Sequence, residues 1–182
     1  MSENKNSYEN LTYQKKSFYE IFADNEAMIE SAYAYAKDYM TYLDAAKTER
    51  EAVDASIALA EAQGYRPYRL GDKIAAGDRL YYNNRGKNLF LIKAGTEDIN
   101  NGIRIIAAHI DSPRLDLKPC PLYEDHGMGF FKTHYYGGVR KYQWVTVPLA
   151  LHGVVILNDG TSVTVTVGED DADPIFYIND LL

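Results

Sequence analysis

The chain has 182 residues, 46% hydrophobic and 25% charged, which are the proportions of a folded globular protein of one domain or two small ones and not of a collagen-like, disordered or coiled-coil chain. Lys plus Arg number 19 against 26 Asp plus Glu, a net charge of −7, which argues against a nucleic-acid binder that relies on neutralising phosphates. A single cysteine, Cys120, excludes an internal disulfide and a multi-cysteine zinc site, so any metal must rest on histidines and carboxylates.

The opening MSENKNSYEN has no apolar signal region, and no window approaches the roughly 18 apolar residues of a membrane span, so the expected location is the cytoplasm. Further on, Ile29, Ala32, Tyr33, Ala36, Met40 and Leu43 recur at three-and-four spacing and predict an amphipathic helix capped by Asp24 or Asn25. Thr48 with Glu51 three residues later forms a capping box for a second helix, whose buried face is Val53, Ile57 and Ala60. Gly64 suits the left-handed stop, and Pro67 prevents continuation.

Beyond Tyr81 the period changes. Asn88 to Lys93 and Ile103 to His109 are short β-rich runs expected to form an antiparallel pair. Pro113, Pro119 and Pro121 disfavour regular structure and place a domain boundary near Ser112 to Pro121. A second β region is expected at Trp144 to Leu157 and Ser162 to Val167, with Asn158, Asp159 and Gly160 as its hairpin turn. Glu169 to Asp173 reads as a solvated acidic loop without the spaced donors of a calcium loop.

The candidate chemistry lies in RIIAAHIDSP, Arg104 to Pro113. Strand alternation puts Ile105, Ala107, His109 and Asp111 on one face, so an apolar strand ends in an imidazole and a carboxylate. A metal-binding imidazole needs its second nitrogen held, and a carboxylate two residues on can do that. On His-x-Asp spacing alone, a satisfied, partly buried histidine is the commoner outcome and a metal ligand the rarer one. His126, His134 and His152 read as hydrogen-bonded surface or interface residues, Gly127-Met128-Gly129 lacks the rest of a dinucleotide fingerprint, and no cofactor-binding residues are assigned. Gly137 and Gly138 read as a tight turn or a close backbone approach.

Taken together, KTERE, GDRLYY, HIDSPRLDLK, FKTHYYGG, YQW, LALHGVV and GEDDADPIFYINDLL resemble the aspartyl aminopeptidase family of zinc metallopeptidases, which includes vacuolar aminopeptidase I, and look most like its bacterial branch. The resemblance implies an α/β fold: residues 1–115 as the N-terminal part of a two-metal aminopeptidase catalytic domain, and residues 116–182 as the first part of an inserted, mostly β dimerisation domain, here incomplete. It implies a metallo-aminopeptidase that removes the N-terminal residue of peptides with water activated by two zinc ions, cobalt or manganese being alternative occupants. His109 would be a metal ligand, and Asp111 the catalytic-site residue that orients it. The other ligands and the general base of family members follow the β insertion, so the 182 residues alone should be inactive and bind metal poorly. The implied partners are a peptide substrate and further copies of the chain through the β domain, with no nucleic acid and no membrane. The competing expectation is a non-catalytic oligomerisation fragment or truncated relative.

Overall fold

The computed structural model describes residues 13–179, in two units divided between Tyr42 and Leu43. The opening ten residues and the final Asp180-Leu181-Leu182 lie outside the described residues. In the first unit α1 (Phe18–Phe22) is opened by a capping box: Ser17 Oγ accepts from the Glu20 amide at 3.2 Å, and Glu20 Oε2 accepts from the Ser17 amide at 2.6 Å. The Ser-x-x-Glu signal for this helix is present in the sequence. Asn25, one of the two expected caps, accepts from the Met28 amide at 3.1 Å and starts α2 (Glu26–Ala45). Tyr33, Met40 and Leu43 on the apolar stripe of α2 remain exposed.

The second unit carries its core on α3 (Glu49–Ala62), where Ala52, Val53 and Ala60 are buried. The Thr48–Glu51 capping box forms as expected: Thr48 Oγ1 accepts from the Glu51 amide at 3.4 Å, and Glu51 Oε2 accepts from the Thr48 amide at 2.8 Å. Past its end, Gly64 takes φ 80°, and β1 (Arg66–Pro67) pairs in parallel with β2 (Arg79–Asn84). Leu80 of β2 is fully buried, and α3 packs on β2 and on β3 (Asn88–Lys93).

The antiparallel partner of Asn88 to Lys93 is β2, not Ile103 to His109 as the sequence pattern suggested. The reason is local: Arg85 and Gly86 both take positive φ between Asn84 and Asn88, and Asn83 Oδ1 accepts from the Gly86 amide at 2.7 Å. A turn of this kind closes a hairpin before a distant strand can compete. Residues 102–113 are in no sheet among the described residues, although β3 is an edge strand with its other side unpaired, and Ile106 is 100% exposed.

Pro113 lies outside regular structure as expected, but Pro119 and Pro121 do not interrupt it. β4 (Arg114–Asp125) runs through Pro119 and Pro121 and pairs with β5 (Met128–Tyr136), because a bulge between Leu117 and Leu122 takes up the residues that cannot keep the ladder. Cys120, in that bulge, takes φ 50° and is exposed. His126 and Gly127, both at positive φ, turn the hairpin, which gives the Gly127-Met128-Gly129 sequence a structural role. The expected strand start at Trp144 is also corrected: Lys141–Trp144 is a short helix, α4, and the strand β6 covers Leu151–Ile156. Its partner β7 is Ser162–Val167, as the valine and threonine alternation predicts, with Gly160 at φ 86° in the turn. Gly168, at φ 101°, brings the chain so close to Ala150 that a Cβ there would stand 3.1 Å from the Ala150 Cα.

His152 of β6 ties this hairpin to α3. Its side chain is only 13% exposed, with Nδ1 2.8 Å from Glu51 Oε1 and Nε2 2.8 Å from Glu169 Oε1. The expectation of a hydrogen-bonded histidine is met, and the acidic loop contributes a carboxylate to it. Burial works against the imidazolium, yet the two carboxylates outweigh it and raise the His152 pKa above its ordinary value. Burial likewise opposes the Glu51 carboxylate, and the hydrogen bonds from His152 and Thr48 overcome it, so that carboxyl lies lower than usual. The stability from the raised histidine is complete below about pH 6.5 and is lost as pH rises through its folded-state pKa; that from Glu51 is complete above about pH 4.3 and is lost as pH falls. Urea midpoints measured across pH should therefore be highest between about 4.3 and 6.5. His152→Gln should remove the decline on the alkaline side of that window, and an unchanged alkaline slope in the variant would contradict the assignment.

Candidate metal-ligand site

His109 and Asp111 do lie together, outside any paired strand. The imidazole Nδ1 is 2.8 Å from the backbone carbonyl oxygen of Asp111 and 3.4 Å from its carboxylate Oδ1. A carbonyl can only accept a hydrogen bond, so this contact selects the tautomer with the proton on Nδ1 and leaves the lone pair on Nε2. With the His109 side chain 83% exposed, that lone pair is open to a ligand. The orienting atom at the shorter distance is thus a main-chain oxygen, which no pattern of side chains announces.

The Asp111 carboxyl is engaged from the other side. A hydrogen bond from the Tyr136 hydroxyl, then one from its own backbone amide, hold it below the usual carboxylate value against a smaller opposing effect of burial, and the neighbouring His109 adds to the lowering. The same Asp111 bond raises the Tyr136 hydroxyl. Tyr136 ends β5 directly opposite Arg114, the first residue of β4. The Arg114 guanidinium lies over the Tyr136 ring, 4.2 Å from its centroid, and contacts Glu49 at 3.0 Å and Asp116 at 2.7 Å. The sequence reading missed Tyr136, Arg114 and Glu49; only the adjacency of Arg114 to HIDSP hinted at one of them.

One imidazole with its second nitrogen held and its first exposed fits a zinc ligand. It does not make a zinc site: among the described residues there is no cluster of three or more His, Cys, Asp or Glu able to hold a metal ion. Among the described residues His126 pairs with the adjacent Asp125, at 2.8 Å, and His134 stacks on Tyr135. A cavity of about 830 Å³ is lined instead by residues that include Leu117, Phe131, Leu149, His152 and Phe176. No helix among the described residues is long and apolar enough to cross a membrane.

Comparison with known proteins supplies the context for this half-built site. A probable M18 family aminopeptidase 1 of Clostridium acetobutylicum is 47% identical over 162 residues, covering 87% of this chain and 35% of the relative. The crystal structure of an M18-family aminopeptidase from Thermotoga maritima superposes with a TM-score of 0.80 at 38% identity, covering 94% of this chain and 37% of that one. The S. cerevisiae mApe1 dodecamer has the same fold over 81% of this chain and 36% of its own, with a TM-score of 0.67 at 20% identity. This chain therefore spans about a third of the length of the relatives it matches. Residues 42–182 match the family described as aminopeptidase I zinc metalloprotease (M18), and the chain belongs to that family.

Proposed function

We propose that the chain is the N-terminal part of a two-zinc aminopeptidase and supplies one metal ligand, His109 through Nε2, with Asp111 as the residue that orients it. The observation that carries this reading is the 2.8 Å hydrogen bond from Nδ1 to the Asp111 carbonyl, which presets the exposed nitrogen for a metal. Zinc, when bound, supplies a Lewis acid and lowers the pKa of water towards about 7. Asp111 keeps the His109 ring in one tautomer and one orientation. The remaining ligands and the carboxylate base come from outside these 182 residues, in keeping with the lack of a three-ligand cluster among those described. The substrate is a peptide with a free N-terminus, and two zinc ions, or cobalt or manganese in their place, occupy the completed site.

In this reading residues 1–115 belong to the catalytic domain and 116–182 to an inserted β domain through which copies of the chain associate. Support for association comes from the β6–β7 hairpin, where Val155 and Val163 face each other across the strands and are both exposed. The dodecameric state of the S. cerevisiae protein is in keeping with it. The net charge of −7 and the single cysteine support a cytoplasmic protein without nucleic-acid partners, and without membrane partners as the family resemblance implies.

In a full-length form carrying this chain, His109→Ala should lower bound zinc and reduce kcat/KM by at least about 100-fold. Undiminished zinc content and turnover would overturn the ligand assignment. The 182-residue chain titrated alone should show no tight binding of two zinc ions; tight stoichiometric binding would mean that the site is complete within it. Light scattering at high micromolar concentration should show self-association that Val163→Asp abolishes, and a strictly monomeric wild-type chain would contradict assembly through the β hairpin.

A further inference from the structure

Residues 168–179, which follow β7, are anchored near both ends. At the start, Gly168 lies against Ala150, and its amide donates to Asp173 Oδ2 at 2.9 Å. Towards the end, Leu149 and Phe176 exchange two backbone hydrogen bonds of 2.8 and 3.0 Å. The Phe176 ring also meets that of Phe131 on β5, with centroids 5.9 Å apart. The segment is thus a strap from the β6–β7 hairpin to β5, and Glu169, Ile175, Phe176 and Ile178 form part of the wall of the cavity of about 830 Å³. Between the two anchors, Glu169 is bonded to the ring of His152.

That bond differs from the others in the strap because it depends on a proton. Both nitrogens of His152 stand 2.8 Å from a carboxylate oxygen, Nδ1 from Glu51 and Nε2 from Glu169. Ionised carboxylates only accept, and a neutral imidazole has a single N–H to donate, so the two bonds exist together only with the imidazolium. Once the ring loses a proton, one nitrogen turns a lone pair towards a carboxylate. The two carboxylates are unequal: Glu51 is 29% exposed and its second oxygen is tied to the Thr48 amide at 2.8 Å, whereas Glu169 is 45% exposed. The remaining proton therefore stays on Nδ1 with Glu51, which has less access to water, and Glu169 is the partner released. On β7 the residue opposite His152 is the uncharged Thr166. Of the cations lining the cavity, Lys47 lies 3.8 Å from Asp44, and Arg114 is held by Glu49 and Asp116.

We propose that His152 is a pH-operated latch for this strap: its imidazolium clamps Glu169, and loss of the Nε2 proton frees Glu169 and lets residues 168–179 open away from the cavity. Burial works against the imidazolium and the two carboxylates outweigh it, raising the His152 pKa above its ordinary value. The strap is therefore fastened at about pH 6.5 and below, and it loosens as pH rises through the folded-state pKa. The latch does not depend on the reading of His109 as a metal ligand. In Glu169→Gln the side-chain carbonyl can accept from the imidazolium and the amide group can donate to the bare nitrogen, so this variant holds the strap in both states of the ring.

The experiment follows hydrogen exchange by mass spectrometry across the titration of His152 in a full-length form carrying this chain. Amide rates are divided by those of unstructured peptides at the same pH, and exchange at the His152 Cε1–H reports the protonation of the ring. Thermal unfolding confirms that each variant is folded. Protection of residues 168–179 should fall about tenfold as His152 loses its proton. At every pH it should lie below that of Val53 and Leu80, because the strap opens without the core. Glu169→Gln should abolish the fall, and Glu169→Ala should show at every pH the low protection of the deprotonated wild type. Three results would each overturn the proposal: strap protection that is constant across the His152 titration, a fall of the same size in Glu169→Gln, or strap amides protected as strongly as those of Val53 and Leu80 throughout.

Discussion

The Arg114 guanidinium is the constraint on which the candidate site depends. One planar cation meets Glu49 at the N-terminus of α3, Asp116 on its own strand and the face of Tyr136 on the next. Partial burial penalises that charge, and the carboxylates offset the penalty, keeping the group firmly protonated. Remove it and α3, the β4–β5 hairpin and the HIDSP segment lose their shared partner. A lysine could form one of these contacts as a point charge, but it could not stack on the ring while bridging two carboxylates.

A second constraint is incompleteness. The segment that carries His109 has no strand partner among the described residues, and its isoleucines Ile103, Ile105 and Ile106 are exposed. Apolar side chains of this kind ordinarily line a sheet face. The same segment presents the exposed His109 nitrogen. Unburied isoleucines and an exposed imidazole nitrogen lie on one segment, and under the proposed function both would be completed by parts of the protein outside these 182 residues. The chain's span of about a third of its relatives accords with this.

Much of the fold was legible where the signal is local. The Thr48–Glu51 box, the stop at Gly64 and the β7 strand all follow from residues within a few positions of one another. The errors share a cause as well. Ile103 to His109 has the composition of a paired strand, but pairing depends on a partner that composition does not name, and the Asn83 to Lys87 turn gives Asn88 to Lys93 to β2 while the other edge of β3 stays free. The prolines of β4 were read as breakers because the bulge that accommodates them is a property of two strands, not of one. At the site, His109 and Asp111 are singled out by spacing and family resemblance, and the structure brings them together. The carbonyl that selects the tautomer was not foreseen, because a backbone oxygen has no residue letter.

The central claim is that Nε2 of His109 faces a zinc ion while Nδ1 is held by Asp111. Anomalous diffraction at the zinc absorption edge, on crystals of a full-length form grown with zinc, tests it most directly. The account predicts an anomalous peak at bonding distance from His109 Nε2, about 2.0–2.1 Å, with Asp111 still on the Nδ1 side of the ring. Zinc found remote from His109, or bound through Nδ1 with the Asp111 contact broken, would contradict it.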